Sequence, residues 1–324
     1  MSLPSLCNGR FELDRVFADG GGMGLLYLAR DTRCAGNPVL IKTTRYDSGP
    51  RARNLRYTQD EATAHIQRSR KILEWEKKVL VRFRNEGLNN LPSANHFFVD
   101  RTLTLEPRYE GKFGPIAIPE DVLNSEPYLV MELIPGDILE QRMAQPEFRE
   151  RLEENVLLLA REILTIFIRL HKKVDVGAQQ GVFLYQDLKP ANIMVSGTDY
   201  FTLIDFGGVT LKLGEKTTEP TAACITMGYA APEAAGGREV FIDERFDLYT
   251  LGATLWHAVT LQDPRDMGEF PTLSVEPLRA AGISAQTCQV IGQALARNPA
   301  ARYASAAAMR KAVMDRLRDF REAS

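Results

Sequence analysis

The N-terminal part of the chain carries short runs in which apolar and polar residues alternate, a pattern typical of half-buried strands. Strands are predicted at 10–16, 25–29 and 38–41, with a glycine cluster between the first two. Further strands are predicted at 97–105 and 128–133. Strands in this order, joined by a glycine-rich turn, predict an antiparallel sheet.

One helix is predicted in this part of the chain, because apolar residues recur at helical spacing from Ile72 to Phe83. The arginine-rich segment 45–70 shows little apolar periodicity and is interpreted as an insertion. A solvated insertion is favoured there over a binding segment for a partner or an anionic ligand. The segment 107–127, interrupted by proline and glycine, is interpreted as a second insertion.

From Glu147 onward the pattern is mainly helical, and residues 156–170 form one broad apolar helix face. Short strands interrupt the helices. Phe183–Tyr185 is predicted to pair with Ile193–Val195, and Phe201–Ile204 to form a further strand. The fold class is therefore α+β, with a β-rich N-lobe at about 9–132 and an α-helical C-lobe at about 137–318.

Composition narrows the class of protein only slightly. The chain has 324 residues and a net charge of -2, so no global field attracts nucleic acid or an anionic membrane. Its four cysteines form no CxxC pair, which favours reduced thiols over a zinc site. No signal peptide and no membrane span are predicted. These features predict a cytoplasmic protein.

The first candidate for chemistry is the glycine cluster formed by Gly20, Gly21, Gly22 and Gly24. Glycines let backbone N–H groups approach phosphate oxygens, although a plain turn explains such a cluster as well. Lys42 ends an apolar strand, where an ammonium needs a partner. A bound phosphate and a helix carboxylate would supply one; Glu76 is the first choice for the carboxylate and Glu74 its competitor.

The strongest signal is the loop from Tyr185 to Asn192. Asp187 is followed by Lys189, by Asn192 and, further along, by Asp205. Phosphoryl transfer needs metal ions on the phosphates, a group that orients the attacking hydroxyl, and positive charge near the transferred group. Asn192 and Asp205 are oxygen ligands of the kind that Mg²⁺ prefers. Asp187 can accept the hydroxyl proton, and Lys189 can lie beside the γ-phosphate.

Taken in order, these motifs resemble the signature set of the protein kinase superfamily, and in detail the eukaryotic-like serine/threonine kinases of bacteria. The resemblance covers nearly the whole chain and implies a bilobal kinase catalytic domain at 9–318. The matching segments are the glycine loop, Val39–Lys42, Tyr185–Asn192, Asp205–Gly207, Ala231–Glu233 and the C-terminal stretch Ala294–Tyr303.

The resemblance assigns further roles. Lys42 would hold the α- and β-phosphates and pair with Glu76. Thr226 would contact Asp187 and Lys189, a combination typical of serine/threonine specificity. Glu233 would pair with Arg302, and Asp247 would brace the catalytic loop. The residues expected around adenine are Leu26, Leu40, Met194, the gatekeeper Met131 and the hinge residues Glu132 and Leu133.

Three residues depart from the family pattern. Asp19 stands where the first loop glycine usually is, and Leu40 replaces an alanine over the adenine. Gln186 replaces the arginine that normally receives a phosphate from the activation loop. We therefore predict activity without activation-loop phosphorylation. The threonines that remain candidates for autophosphorylation are Thr210, Thr217, Thr218 and Thr221.

The sequence thus predicts an enzyme that transfers the γ-phosphoryl group of ATP to serine or threonine of protein substrates. Its cofactors would be ATP and Mg²⁺, with Mn²⁺ as an alternative, and a regulatory partner protein is conceivable. The competing hypotheses are a pseudokinase scaffold that binds nucleotide and a small-molecule kinase of related fold. The complete set of catalytic residues argues against the scaffold, and Ala231–Glu233 with Thr226 argues for a protein substrate.

Overall fold

The computed structural model describes residues 4–18, 24–44, 58–105, 107–111, 114–197, 200–214, 216–217, 225–239 and 242–323. The chain divides into two compact units. The first consists of Met1–Arg82 and Pro92–Leu133, and the second of Phe83–Leu91 and Ile134–Ser324. Each unit is described by itself below.

The first unit is built on an antiparallel sheet with the strand order β1-β2-β3-β4-β8-β5. Side chains alternate along β3 and β4, so one face carries the buried residues of the core and the other face stays half-exposed. The strands of this unit are β1 (Ser5–Leu6), β2 (Phe11–Ala18), β3 (Gly24–Asp31), β4 (Asn37–Thr44), β5 (Ala94–Asp100), β6 (Arg108–Gly111), β7 (Gly114–Ala117) and β8 (Glu126–Glu132).

A long helix, α1 (Gln59–Asn85), begins well before the predicted start at Ile72. Thr58 and Glu61 form a capping box at its N-terminus, with Thr58 N–H 2.7 Å from the Glu61 carboxylate and Glu61 N–H 3.3 Å from the Thr58 hydroxyl. Residues 59–70, interpreted above as insertion, are therefore the first turns of α1. Residues 45–57 lie outside the described part of the chain.

The segment 107–127 has secondary structure of its own. Its strands β6 and β7 form an antiparallel hairpin, and a short helix, α2 (Glu120–Leu123), follows before β8. Apolar side chains of this segment form a second core cluster with the N-terminal half of α1. The buried members of the cluster are Ala62, Ile66, Leu105, Ile116, Ile118 and Leu123.

The second unit is mainly helical. Its longest helices pack on one another, and α6 is buried on almost every side, as expected for a helix that is apolar all round. The helices are α3 (Leu139–Arg142), α4 (Pro146–Arg149), α5 (Leu152–Leu170), α6 (Arg245–Thr260), α7 (Glu276–Ala280), α8 (Ala285–Ala294) and α9 (Ala306–Ala323), with 3₁₀ turns at Pro190–Asn192, Pro232–Glu239, Pro264–Met267 and Pro299–Ala301.

Two small sheets in this unit carry the loops of interest. One has the order β10-β11-β14-β15 and the other β13-β12-β9. The strands are β9 (Asp137–Ile138), β10 (Val174–Val176), β11 (Gln179–Leu184), β12 (Ile193–Ser196), β13 (Tyr200–Leu203), β14 (Thr210–Leu213) and β15 (Lys216–Thr217).

The predicted pairing of Phe183–Tyr185 with Ile193–Val195 is wrong. Phe183 lies on β11, which pairs with β14, whereas β12 pairs with β13 and β9. The reason is that the catalytic loop between β11 and β12 leads the chain into a different sheet instead of turning it back as a hairpin. The predicted α+β class, with a β-rich first part and a helical second part, is confirmed.

Candidate active site

In the first unit, Lys42 and Glu76 form an ion pair. The Lys42 ammonium lies 2.8 Å from each oxygen of the Glu76 carboxylate. Strand β4 presents Lys42 on the face opposite the core, and α1 supplies Glu76, which is 1% exposed. Glu74, the competing carboxylate, is exposed to solvent.

The same face of the sheet carries most of the residues expected around adenine. Register pairs Leu26 with Lys42 across β3 and β4, and Leu40 with Met131 across β4 and β8. Because directly paired residues of an antiparallel sheet point to the same side, each pair forms a row on that face. Leu26 and Leu40 are half-buried, and Met131 is buried.

Gly24 is the described member of the glycine cluster. A Cβ atom at this position would come within 2.8 Å of Cε of Lys42. The absence of a side chain at Gly24 therefore lets the Lys42 side chain lie close to strand β3. Gly20, Gly21 and Gly22 lie outside the described residues, as does Asp19.

The two predicted hinge residues end the first unit. The amide of Glu132 donates to the carbonyl oxygen of Ser93 at 3.0 Å. A contact of Glu132 with adenine would therefore use its carbonyl oxygen, since its N–H group is already bonded. Leu133 follows it and is half-buried.

In the second unit, the catalytic loop is held from helix α6. Asp247 is fully buried and accepts the backbone N–H groups of Tyr185 at 2.9 Å and Gln186 at 2.8 Å. His171 Nε2 lies 2.8 Å from the same carboxylate. Gln186 has a φ of +67°, a left-handed conformation that costs energy for a residue with a side chain. The bonds to Asp247 offset that cost, and the predicted bracing contact is present.

Tyr185 contacts the segment Asp205–Gly207. Its hydroxyl donates to the carbonyl oxygen of Asp205 at 2.5 Å, and its ring packs edge-on against Phe206 with centroids 5.6 Å apart. The tyrosine thus links the catalytic loop to the backbone of Asp205.

Asp187, Lys189 and Thr226 form a closed triangle of contacts. The Lys189 ammonium lies 2.8 Å from the Asp187 carboxylate and donates to the Thr226 hydroxyl at 2.7 Å. The Thr226 hydroxyl in turn donates to the other Asp187 oxygen at 2.5 Å. The contact that the resemblance implied for Thr226 is therefore present in the structure.

The environment of Asp187 acts on its pKa in opposing ways. Burial raises the pKa of the carboxyl group, Lys189 and Thr226 lower it, and the nearby Asp205 raises it again. The net direction is upward. Asp187 is therefore a stronger base than an exposed aspartate, yet it remains next to an ammonium group that favours its ionised form.

Asn192 and Asp205 are the candidate metal ligands. The Asn192 amide nitrogen donates to the backbone oxygen of Asp187 at 2.8 Å and to its carboxylate at 3.2 Å. Its side-chain oxygen is then the atom suited to a cation. Asp205 accepts the N–H of Gly207 at 3.0 Å, which fixes the carboxylate. One amide and one carboxylate oxygen fit Mg²⁺, which takes most of its other ligands from phosphates and water.

No group of three or more His, Cys, Asp or Glu side chains suited to a metal ion occurs within the described ranges. Met194 lies on β12, where it pairs with Thr202 and is half-buried.

Gln186 has a partner that the sequence analysis did not identify. Its side-chain amide donates to the Thr210 hydroxyl at 3.0 Å, and the exposed fractions of Gln186 and Thr210 are 4% and 1%. Thr210 is therefore a buried residue at the start of β14. As a candidate for autophosphorylation it is a poor one, because a kinase needs access to the hydroxyl. The side chains of Thr217, Thr218 and Thr221 lie outside the described residues.

The expected pair between Glu233 and Arg302 is present as a two-pronged contact, with both distances 2.7 Å. Arg302 is 4% exposed and stacks over the Tyr249 ring at 4.9 Å. It also donates to the carbonyl oxygens of Ala296 and Arg245. The Ala231–Glu233 segment is therefore anchored to the C-terminal part of the unit.

Two polar residues with buried partners, His171 and Arg70, were not identified from the sequence. His171 follows α5 and contacts Asp247; its position after an apolar helix face gave no sign of that partner. Arg70 lies on α1 and pairs with the buried Glu126 at 2.8 Å. The capping-box pattern at Thr58 and Glu61 was the signal that would have placed Arg70 on a helix.

Known proteins that are similar to this chain are protein kinases. Residues 117–314 match the family model described as protein kinase domain. The chain is 28% identical over 322 residues to serine/threonine-protein kinase PknB of Mycobacterium tuberculosis (strain ATCC 25618 / H37Rv), covering 96% of this chain and 43% of that protein. It is also 28% identical over 323 residues to probable serine/threonine-protein kinase SCO3848 of Streptomyces coelicolor, covering 96% and 40%.

The chain therefore spans less than half the length of these relatives. No described helix is long and apolar enough to cross a membrane. The family match extends over more than half of the chain and includes the catalytic loop, Asp205–Gly207 and Ala231–Glu233. The chain belongs to the protein kinase domain family.

Proposed function

We propose that the chain transfers the γ-phosphoryl group of ATP to serine or threonine hydroxyls of protein substrates. The observation that carries this proposal is the triangle of Asp187, Lys189 and Thr226. It combines a proton acceptor, a positive charge and a hydroxyl that fixes both. The similarity to bacterial serine/threonine kinases supports the same assignment.

In this proposal, Asp187 orients the attacking hydroxyl and accepts its proton. Its raised pKa suits that role, because the carboxylate has a greater affinity for a proton than an exposed aspartate. Lys189 lies against the carboxylate and would neutralise charge on the transferred group. Thr226 holds both side chains in place through its hydroxyl.

Asn192 and Asp205 would hold Mg²⁺, or Mn²⁺ in its place. Such a metal would offset negative charge on the nucleotide phosphates. The protein's own part is to orient the two ligands. The backbone oxygen of Asp187 orients Asn192 by accepting a hydrogen bond from its side-chain amide. The N–H of Gly207 orients Asp205 by donating to its carboxylate.

The first unit would bind the nucleotide. Lys42 would contact the α- and β-phosphates and keep Glu76 as its carboxylate partner. The backbone of Gly20, Gly21, Gly22 and Gly24 would cover the phosphates. Within this unit, the adenine ring would contact Leu26, Leu40, Met131, Glu132 and Leu133.

Activity would not require phosphorylation of the activation loop. Gln186 cannot offer the charge-assisted bond that a phosphate needs, and its amide is already bonded to Thr210. The catalytic loop and the strand after Asp205 are thus joined by a neutral contact.

The proposal extends to the boundaries and the setting of the domain. The catalytic domain would run from 9 to 318, with lobes at about 9–132 and 137–318. ATP and Mg²⁺ are cytoplasmic reagents, so the reaction would take place in the cytoplasm. Protein substrates are its partners, and a regulatory protein would act through contacts outside the site.

The alternative is a scaffold that binds nucleotide without transferring phosphate. Leu40 favours it, because a larger side chain on the adenine-binding face narrows the space for the ring. The discriminating experiment incubates the protein with γ-labelled ATP, Mg²⁺ and a generic protein substrate, beside Asp205→Ala. Transfer by the wild type alone supports the kinase. Nucleotide binding without transfer in the wild type supports the scaffold.

A further inference from the structure

The segment 107–126 packs on the N-terminal half of α1. Ile116 lies on β7, Ile118 follows that strand, and Leu123 ends α2. All three are buried together with Ala62 and Ile66 of the helix. This cluster is distinct from the cluster inside the main sheet among the described residues. Burial of these apolar side chains stabilises the contact between the segment and the helix.

The first turn of α1 is also bound to β7 by a reciprocal pair of hydrogen bonds. The Gln59 side-chain amide donates to the carbonyl oxygen of Ala117 at 2.9 Å. The Ala117 N–H donates back to the Gln59 side-chain oxygen at 3.1 Å. The two bonds fix the orientation of the helix end as well as its distance, because a single bond would leave it free to rotate.

Further along the helix, Arg70 makes a desolvated contact with Glu126. The guanidinium lies 3.1 Å and 2.8 Å from one carboxylate oxygen through Nε and a terminal nitrogen. It also donates to the Val122 carbonyl oxygen at 2.7 Å and to the Ser125 hydroxyl at 2.9 Å. Glu126 is 0% exposed, so loss of the arginine would remove a cation from a buried carboxylate.

The other oxygen of Glu126 is bound to strand β4. It accepts the Thr43 hydroxyl at 2.9 Å and the Thr44 N–H at 3.2 Å. Thr43 follows Lys42 directly. One buried carboxylate therefore links the helix that carries Glu76 to the strand that carries Lys42.

Arg70 and Glu76 are six residues apart, about 9 Å along a helix at the usual rise per residue. A helix held by Lys42 and Glu76 alone could pivot when that pair breaks. With Arg70 fixed on Glu126 and Gln59 fixed on Ala117, a displacement of α1 would have to break contacts at two further places.

We propose that the segment 107–126 is a built-in clamp on α1 and that Arg70 is a positioning residue, which holds Glu76 against Lys42. This inference rests on the proposed function, in which that ion pair orders the nucleotide phosphates. It assigns a role to the segment that the sequence analysis treated as an insertion. The helix reaches its working position without a partner protein.

A double-mutant cycle tests the proposal through kinetics. Arg70→Gln and Glu76→Gln are made singly and together, and kcat and the KM for ATP are measured on a generic protein substrate. Arg70→Gln is expected to lower kcat/KM about tenfold or more in the wild-type background, but less than about twofold when Glu76 is already glutamine. An equal fractional loss in both backgrounds would show that Arg70 only stabilises the fold, and would overturn the proposal.

The matched control is Arg101→Gln, which removes an arginine of the same unit whose pair with Glu120 is exposed. It is expected to leave kcat/KM unchanged. If Arg70→Gln does not fold, Arg70→Lys takes its place with the same expected direction, since lysine keeps the charge but loses the forked contact.

Hydrogen exchange of α1 amides at 72–80 tests the clamp independently of activity. Exchange should be faster in Arg70→Gln than in Arg101→Gln under conditions where both are folded. Equal exchange in the two variants would refute the clamp. A wild-type protein that shows no phosphoryl transfer would refute the proposed function instead, and the exchange result would still decide the inference.

Discussion

Gln186 donates a hydrogen bond to Thr210 at 3.0 Å, and both side chains are buried. Gln186 directly precedes Asp187, and Thr210 opens β14, whose partner strand β11 leads into the catalytic loop. A neutral hydrogen bond and the pairing of β11 with β14 thus join the two segments.

The first prediction concerns phosphorylation. The variant Thr217→Ala/Thr218→Ala/Thr221→Ala should keep kcat/KM within about twofold of wild type, because the catalytic loop offers no arginine to a phosphate. Activity is measured with phosphatase-treated enzyme of both forms. Thr210 is left intact in this variant, since its hydroxyl is structural. A triple variant with no activity would contradict the prediction.

The second prediction concerns the Gln186–Thr210 bond itself. Thr210→Val should lower the free energy of unfolding by about 1–3 kcal/mol, because it leaves the Gln186 amide buried without a partner. Urea unfolding measures the change. The control is Gln186→Met/Thr210→Val, which removes both polar groups and should restore much of the loss. A single variant as stable as wild type would show that the bond contributes little.

The third prediction concerns pH. Burial raises the pKa of Asp187, and proton acceptance requires its ionised form. The acid limb of kcat/KM should therefore lie above the ordinary aspartate value of 3.8. A profile whose acid limb falls at or below that value would be inconsistent with the buried carboxylate as proton acceptor.

The raised pKa of Asp187 also affects how the free energy of unfolding depends on pH. An acid whose pKa is raised on folding binds more protons in the folded state, so its contribution to stability falls as pH rises from 3.8 through the folded pKa. Asp187→Asn should thus be more stable than wild type at neutral pH, and the difference should vanish below 3.8. Chemical unfolding across this pH range measures both. A variant that is less stable than wild type at neutral pH would contradict a raised pKa of Asp187 in the folded state.

The fourth prediction concerns Arg302. Arg302→Leu should cost about 3–5 kcal/mol of unfolding free energy, because it leaves the Glu233 carboxylate without its buried cation. Arg318→Leu, which breaks an exposed pair with Asp315, should cost less than about 1 kcal/mol. Both are measured by denaturant unfolding. Equal losses of unfolding free energy in the two variants would show that burial of the Glu233–Arg302 pair does not increase its contribution to stability.

Several strands of the first unit could be predicted from the alternation of apolar and polar residues along the chain. That alternation is present because β3 and β4 each have one buried face and one half-exposed face. The first turns of α1, from Gln59 to Arg70, could not be predicted from apolar periodicity. The buried positions of α1 repeat at alternating spacings of four and three, but in the first turns only Ala62 and Ile66 are apolar, and the next buried position is Ser69. A periodicity based on apolar residues fails where a helix buries polar groups that are paired elsewhere in the fold.

The second unit shows a similar limit. The spacing of Asp187, Lys189 and Asn192 indicated the chemistry, because those residues act within one short loop. The partner of Gln186 could not be read from the sequence, since Thr210 lies 24 residues further along the chain. The pairing of β11 depended on the same long-range arrangement, which local alternation does not specify.

The most direct test of phosphoryl transfer compares wild type with Asp187→Asn. Transfer of label from γ-labelled ATP to a protein substrate is measured with Mg²⁺, and ATP binding is measured separately on both forms. The wild type should label serine or threonine. Asp187→Asn should lose about a hundredfold or more in kcat while its Kd for ATP stays within about threefold. Equal kcat in the two forms, or a wild type that binds ATP without labelling the substrate, would contradict the assignment of Asp187.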